Sequence, residues 1–217
     1  MGYEAYLLAL CDAESDARRQ NRLERNLIAS RIPREKTLEA LGLDPFGSRI
    51  ALQVRTLLEN GFLDRRENIL AFGNPGSGKT HLLCAIGQHL IHAGRRVYFA
   101  PCSELVQQLL RAKQALTLDK HLKRLARFDA LIIDDIGYVQ HGREEMEVLF
   151  TLPAERYERG STMLTSNLPF SQWECIFEDP MTTAAAIGRV VHHSVILDLN
   201  IGRYRMESAK RKQEGGN

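Results

Sequence analysis

Apolar residues follow two different periods along this chain, and the change comes near residue 67. Before it, Tyr6, Leu7, Leu10, Ala13 and Ala17 recur at steps of three and four, and Leu23, Leu27 and Ile28 continue the stripe. That spacing predicts amphipathic helix. Pro33 opens a turn or a helix start, and 37–43 and 48–59 read as two more short helices, the second stopped by Asn60-Gly61. After residue 67, short apolar runs alternate with amphipathic stretches. Strands are predicted over 68–72, 97–100, 130–133, 162–165 and 195–199. Helices are predicted over 79–93, 103–115 (with Ser103 as N-cap), 119–126, 144–159 (broken or kinked at Pro153) and within 180–193. Strands alternating with helices imply an α/β fold, a parallel sheet with helices on its faces. The expected organisation is a small all-α segment over 1–62, a three-layer α/β core over 63–205 and a flexible tail over 206–217.

Composition narrows this only a little. The 217 residues are 44% hydrophobic and 26% charged, ordinary for a folded soluble chain. The formal net charge of +2 demands no nucleic-acid partner, so such an argument must rest on local clusters. Cys11, Cys84, Cys102 and Cys175 are scattered with no C-x-x-C pair, which argues against a zinc or disulfide framework and suits a reducing compartment. The first residues lack a basic start before their apolar patch, and no run reaches the ~18 apolar residues of a membrane span. A cytoplasmic protein without membrane contact is expected.

The chemistry begins at Gly73-Asn74-Pro75-Gly76-Ser77-Gly78-Lys79-Thr80, a full match to G-x-x-x-x-G-K-[ST] between a predicted strand and a predicted helix. Glycines let such a loop curl so that successive N–H groups face phosphate oxygens, and the helix adds the positive end of its dipole. Lys79 reaches the β- and γ-phosphates and the Thr80 hydroxyl ligates Mg²⁺, so ATP with Mg²⁺ is the expected ligand. The strand 130–133 runs into Asp134 and Asp135 at the carboxyl edge of the sheet, where ligands bind in parallel α/β folds. Asp134 suits Mg²⁺, largely through water, and Asp135 suits the attacking water. Asn167, after the strand 162–165, can bond the γ-phosphate or that water, or simply form a turn. Arg189 is either a surface arginine or a source of positive charge for the γ-phosphate.

The segments GNPGSGKTHL, ALIIDDIGY, AERYERGSTMLTSNLPFSQW and IGRVVHHSVILDLNIGRYRM together resemble the IstB/DnaC-like branch of the AAA+ ATPases, above all its insertion-sequence helper ATPases. The resemblance runs from about Tyr6 to Arg205, and the TSNLPF core is its most specific part. It implies a P-loop AAA+ core with no C-terminal helical lid, since only 28 residues follow Arg189. It puts His81 beside the loop residues that hold nucleotide, Asn167 at the polar sensor position and Arg189 as a finger reaching a neighbouring protomer. Asp135 stands where many AAA+ proteins carry the longer Glu, which implies slow hydrolysis. The resemblance also implies a homo-oligomer with ATP between subunits, sequence-nonspecific binding of duplex DNA and a transposase partner, with loading of a replicative helicase as the alternative. Arg18, Arg22 and Arg25 share one helical face, with Arg19 beside them, which is either a DNA-phosphate contact or a solvated helix face. Lys120, Lys123 and Arg124 form a second basic cluster, and Lys210-Arg211-Lys212 a weaker third.

Overall fold

The structure is a computed structural model that describes residues 2–136, 142–169, 172–173, 188 and 190–199. It opens with α1 (Tyr3–Ser30), α2 (Leu38–Leu41), a 3-10 turn (Asp44–Phe46), α3 (Gly47–Leu58) and α4 (Gly61–Asp64). The core follows as β1 (Asn68–Phe72), α5 (Lys79–His92), β2 (Val97–Pro101), α6 (Cys102–Gln114), α7 (Leu118–Leu125), β3 (Ala130–Ile136), α8 (Arg143–Arg156), β4 (Ser161–Ser166) and β5 (Ser194–Asp198). The strands form one sheet in the order β2-β3-β4-β1-β5, and every pairing is parallel.

The period-two side-chain alternation of the strands divides the core in two. Ile69, Ala71, Val97, Phe99, Ala130, Ile132 and Met163 face one layer, which holds α5 together with Ile50, Val54 and Leu57 of α3 and Phe62 and Leu63 of α4. Leu70, Phe72, Tyr98, Ala100, Leu131, Ile133 and Leu164 face the other, against α6, α7 and α8. Strands covered on both faces read as continuous apolar runs, which is why they are conspicuous in the sequence. The helical segment from Ile32 to Leu63 is thus packed into the same apolar cluster as the sheet, with no gap in the packing at residue 62. Helix α1 is different. Of its residues only Ser30 is buried, and Leu23 and Leu27 lie against the core.

Several ends differ from the pattern-based reading. The left-handed residue after α3 is Asn60 (φ +65°), and Gly61 already starts α4. An asparagine tolerates that conformation because its short amide can bond locally. Helix α6 starts at Cys102, with Pro101 as its cap (φ −58°, ψ 139°), so Ser103 sits within the first turn and is not the cap. Pro153 lies inside α8 without ending it before Arg156. Strand β3 runs three residues past the apolar run, through both acids, to Ile136. Cys84 and Cys102 are buried, and burial pushes both thiols up to about 12, so they stay protonated. Among the described residues no helix is long and apolar enough to cross a membrane.

Candidate functional site

The loop between β1 and α5 is built on left-handed glycines: Gly76 at φ +85° and Gly78 at φ +94°. Gly73 (φ +156°) has no room for a side chain, since a Cβ there would lie 2.6 Å from Ser77 Oγ and 3.1 Å from the Leu199 backbone. Ser77 N–H closes a turn onto Asn74 O at 3.1 Å. Ser77 Oγ is buried with no hydrogen-bond partner among the described residues. The first N–H groups of α5 have no partner within the helix and point out of its end.

Lys79 is 6% exposed and uses its ammonium to tie the site together. It donates to Gly73 O at 2.7 Å, Asn74 O at 3.0 Å and Asn167 Oδ1 at 2.6 Å. Asn167 in turn donates from Nδ2 to Asp135 Oδ1 at 3.0 Å. Asp134 Oδ1 accepts the Thr80 hydroxyl at 2.8 Å and the Thr165 hydroxyl at 2.6 Å. Burial raises the pKa of the Asp135 carboxyl, the Asp134 charge adds to this, and Lys79 opposes it.

The loop, Lys79, Thr80, Asp134, Asp135 and Asn167, spread over 95 positions of sequence, are therefore one hydrogen-bonded group at the carboxyl edge of the sheet. Its donor set fits a polyphosphate: a glycine-rich loop with no room for a Cβ at Gly73, a buried hydroxyl with spare hydrogen-bonding capacity, and an ammonium. A hydroxyl and a carboxylate in contact, Thr80 and Asp134, are hard oxygen donors of the kind that suit Mg²⁺.

Other predicted residues lie elsewhere. The His81 ring turns away from the loop, with Nε2 3.0 Å from Thr37 O. A carbonyl only accepts, so Nε2 carries the proton. Burial lowers the pKa of this imidazole, so the neutral form is favoured. Gln88 continues the row along α5, donating to Pro33 O at 2.8 Å, and His89 Nε2 lies 2.9 Å from Leu58 O. Arg18, Arg19, Arg22 and Arg25 are on α1. The first three line a groove of about 1080 Å³ between α1 and the end of α5. Lys120, Lys123 and Arg124 lie on α7, which leads into the amino end of β3 and so stands at the sheet edge opposite the loop. There Lys123 pairs with Asp119 at 2.7 Å. Arg189 and 210–212 lie outside the described residues.

One participant was missed from the sequence. Thr165 reads there as an ordinary β-branched strand residue, and no local signal marks its hydroxyl.

A family model described as IstB-like ATP binding protein matches residues 1–213. The chain belongs to this family. An insertion-sequence ATP-binding protein of Sinorhizobium fredii is 42% identical over 205 residues, covering 94% of this chain and 69% of that protein. The IS21 insertion-sequence ATP-binding protein of Pseudomonas aeruginosa is 37% identical over 212 residues, covering 98% and 80%. Among solved structures, AMPPCP-bound DnaA from Aquifex aeolicus superposes with a TM-score of 0.69 at 20% identity, covering 87% of this chain and 57% of that one. The last likeness is one of fold: this IstB-like chain shares the α/β architecture of that protein.

Proposed function

We propose that this IstB-like protein is a Mg²⁺-dependent, slow ATP hydrolase that oligomerises on duplex DNA and assists a transposase. The observation that carries the catalytic part is the bonded path from Lys79 through Asn167 to Asp135, beside the Thr80–Asp134 pair. Loop N–H groups and Lys79 bind the triphosphate, with Lys79 exchanging its bonds to Gly73 O and Asn74 O for phosphate oxygens. Thr80 and Asp134 would hold Mg²⁺, which would supply charge neutralisation at the phosphates. Asp135 orients the attacking water and takes its proton, and its raised pKa makes it a better base than an ordinary aspartate. Asn167 holds Lys79 and Asp135 at a fixed distance. Arg189 of an adjoining protomer adds positive charge at the γ-phosphate.

The DNA part rests on α1. Its arginine-bearing half is exposed, so Arg18, Arg19, Arg22 and Arg25 meet phosphates without reading bases. Lys120, Lys123 and Arg124 offer a second contact. The first turns of α1 expose Tyr3, Tyr6, Leu7 and Leu10, a stripe suited to self-association. The two relatives named above are insertion-sequence proteins, which favours the transposition helper over a helicase loader, and a helper acting on DNA in this way would work in the cytoplasm.

The test is ATP turnover with and without duplex DNA across a salt series. Turnover is expected to rise with DNA and the rise to fade steeply with salt. Asp135→Asn should abolish turnover in both conditions, and joint replacement of Arg18, Arg22 and Arg25 by Ala should remove only the DNA effect. Full turnover in Asp135→Asn would remove that residue from the chemistry, and an intact DNA effect in the triple variant would take DNA off α1.

A further inference from the structure

Strands β3 and β4 do not stay in step. Ile133 pairs with Leu164, but the next pair is Ile136 with Ser166, three steps on β3 against two on β4. Asp134 and Asp135 therefore stand opposite the single residue Thr165, which is a β-bulge. Within it Asp135 takes φ +67°, a left-handed conformation that costs a non-glycine residue energy unless its surroundings enforce it. A bulge also takes a backbone N–H out of the ladder, and a buried N–H needs another acceptor.

Thr165 provides it. Its Oγ1 accepts the Asp135 N–H at 2.7 Å and donates to Asp134 Oδ1 at 2.6 Å, and the residue is 1% exposed. A hydroxyl has one proton, so the direction is fixed: Asp135 N–H to Thr165 Oγ, and Thr165 O–H to the Asp134 carboxylate. One buried hydroxyl thus sets both the backbone of Asp135 and the orientation of the Asp134 side chain. Thr80 and Thr165 both bond Oδ1 of Asp134, which leaves Oδ2 as the oxygen available to a cation.

We propose that Thr165 is a positioning residue, holding the Asp134–Asp135 bulge in the arrangement that binds Mg²⁺ and activates water; this rests on the reading given under Proposed function. The experiment compares Thr165→Val, which keeps shape and β-branching, with Thr165→Ser, which keeps the hydroxyl. The equilibrium affinity for a fluorescent ATP analogue is measured in EDTA and along a Mg²⁺ titration, with no turnover needed. In EDTA both variants should match the parent within about twofold, because no loop phosphate donor touches Thr165. The Mg²⁺ concentration for half-maximal enhancement should rise about 10- to 100-fold in Thr165→Val, as for other groups that orient a metal ligand, and recover in Thr165→Ser. An unchanged Mg²⁺ requirement in Thr165→Val overturns the proposal, as does an equal loss of affinity with and without Mg²⁺, the sign of a merely structural role. Mg²⁺-enhanced binding without turnover in the parent protein would refute hydrolysis and leave the role of Thr165 in metal binding standing.

Discussion

Replacing Asn167 by Asp tests the link between sensor amide and acid. The amide accepts from Lys79 at 2.6 Å and donates to Asp135 at 3.0 Å. In Asn167→Asp the first contact becomes an ion pair, while the second becomes oxygen against oxygen. Two unit charges about 3 Å apart repel by roughly 1.4 kcal/mol at the dielectric constant of water and about 5 kcal/mol at an effective value of 20. Lys79 cancels part of the new charge, so a further rise in the Asp135 pKa is expected, on top of the rise that burial and Asp134 already cause. The base works ionised, so activity falls as pH drops through its pKa. The acid limb of the kcat profile should therefore move to higher pH. Asn167→Ala, which loses the donor without adding charge, should lower the plateau and move the limb upward by less. Turnover at saturating ATP and Mg²⁺ over about pH 5 to 9 is the assay. An acid limb that stays put or moves to lower pH in Asn167→Asp would refute the placement of Asp135 as the titrating base.

Two further outcomes follow from packing. Arg156 is 3% exposed, and its guanidinium serves Leu125 O, Phe128 O, Asp129 O and Ser161 O at 2.9–3.2 Å. Arg156→Met leaves those carbonyls without that donor and should cost about 3–5 kcal/mol, a fall in Tm of about 10 °C, read by calorimetry or denaturant melts. A loss below about 1 kcal/mol would show that water or neighbouring groups replace it. Gly73→Ala should cut ATP affinity at least about tenfold in a titration while the fold stays intact, because the added Cβ meets the Leu199 backbone as well as Ser77. Unchanged affinity would mean that the loop relaxes freely.

The parts legible in the sequence were those with a local cause. The run 68–72 and the start of α5 at Lys79 are where the apolar pattern and the glycine loop put them. Asp134 and Asp135 were placed beside the loop because strand ends at one edge of a parallel sheet converge, whereas Asn167 read from the residues alone could as well have been a turn former and owed its sensor position to the resemblance. What stayed hidden depends on long-range pairing. Nothing in Ile133-Asp134-Asp135-Ile136 shows that β4 advances one residue less, so neither the bulge nor the task of Thr165 could be read. An amphipathic stripe shows that Ile50, Val54 and Leu57 are covered, but not that the sheet layer covers them. His81 belongs to the motif string, yet a helix of 3.6 residues per turn sends it off the face that Thr80 occupies, toward Thr37.

The donors along α5 give the phosphate loop a mechanical reach. His81, Gln88 and His89 fasten the helix that starts at Lys79 to the carbonyls of Thr37, Pro33 and Leu58. Pro33 and Thr37 lie just after α1, at its root. The 28 residues of α1 extend about 42 Å at 1.5 Å per residue, so a tilt of about 5° at the root carries the tip roughly 4 Å. A tilt of that size at the root would be, at Tyr3, about the width of an atom-to-atom contact.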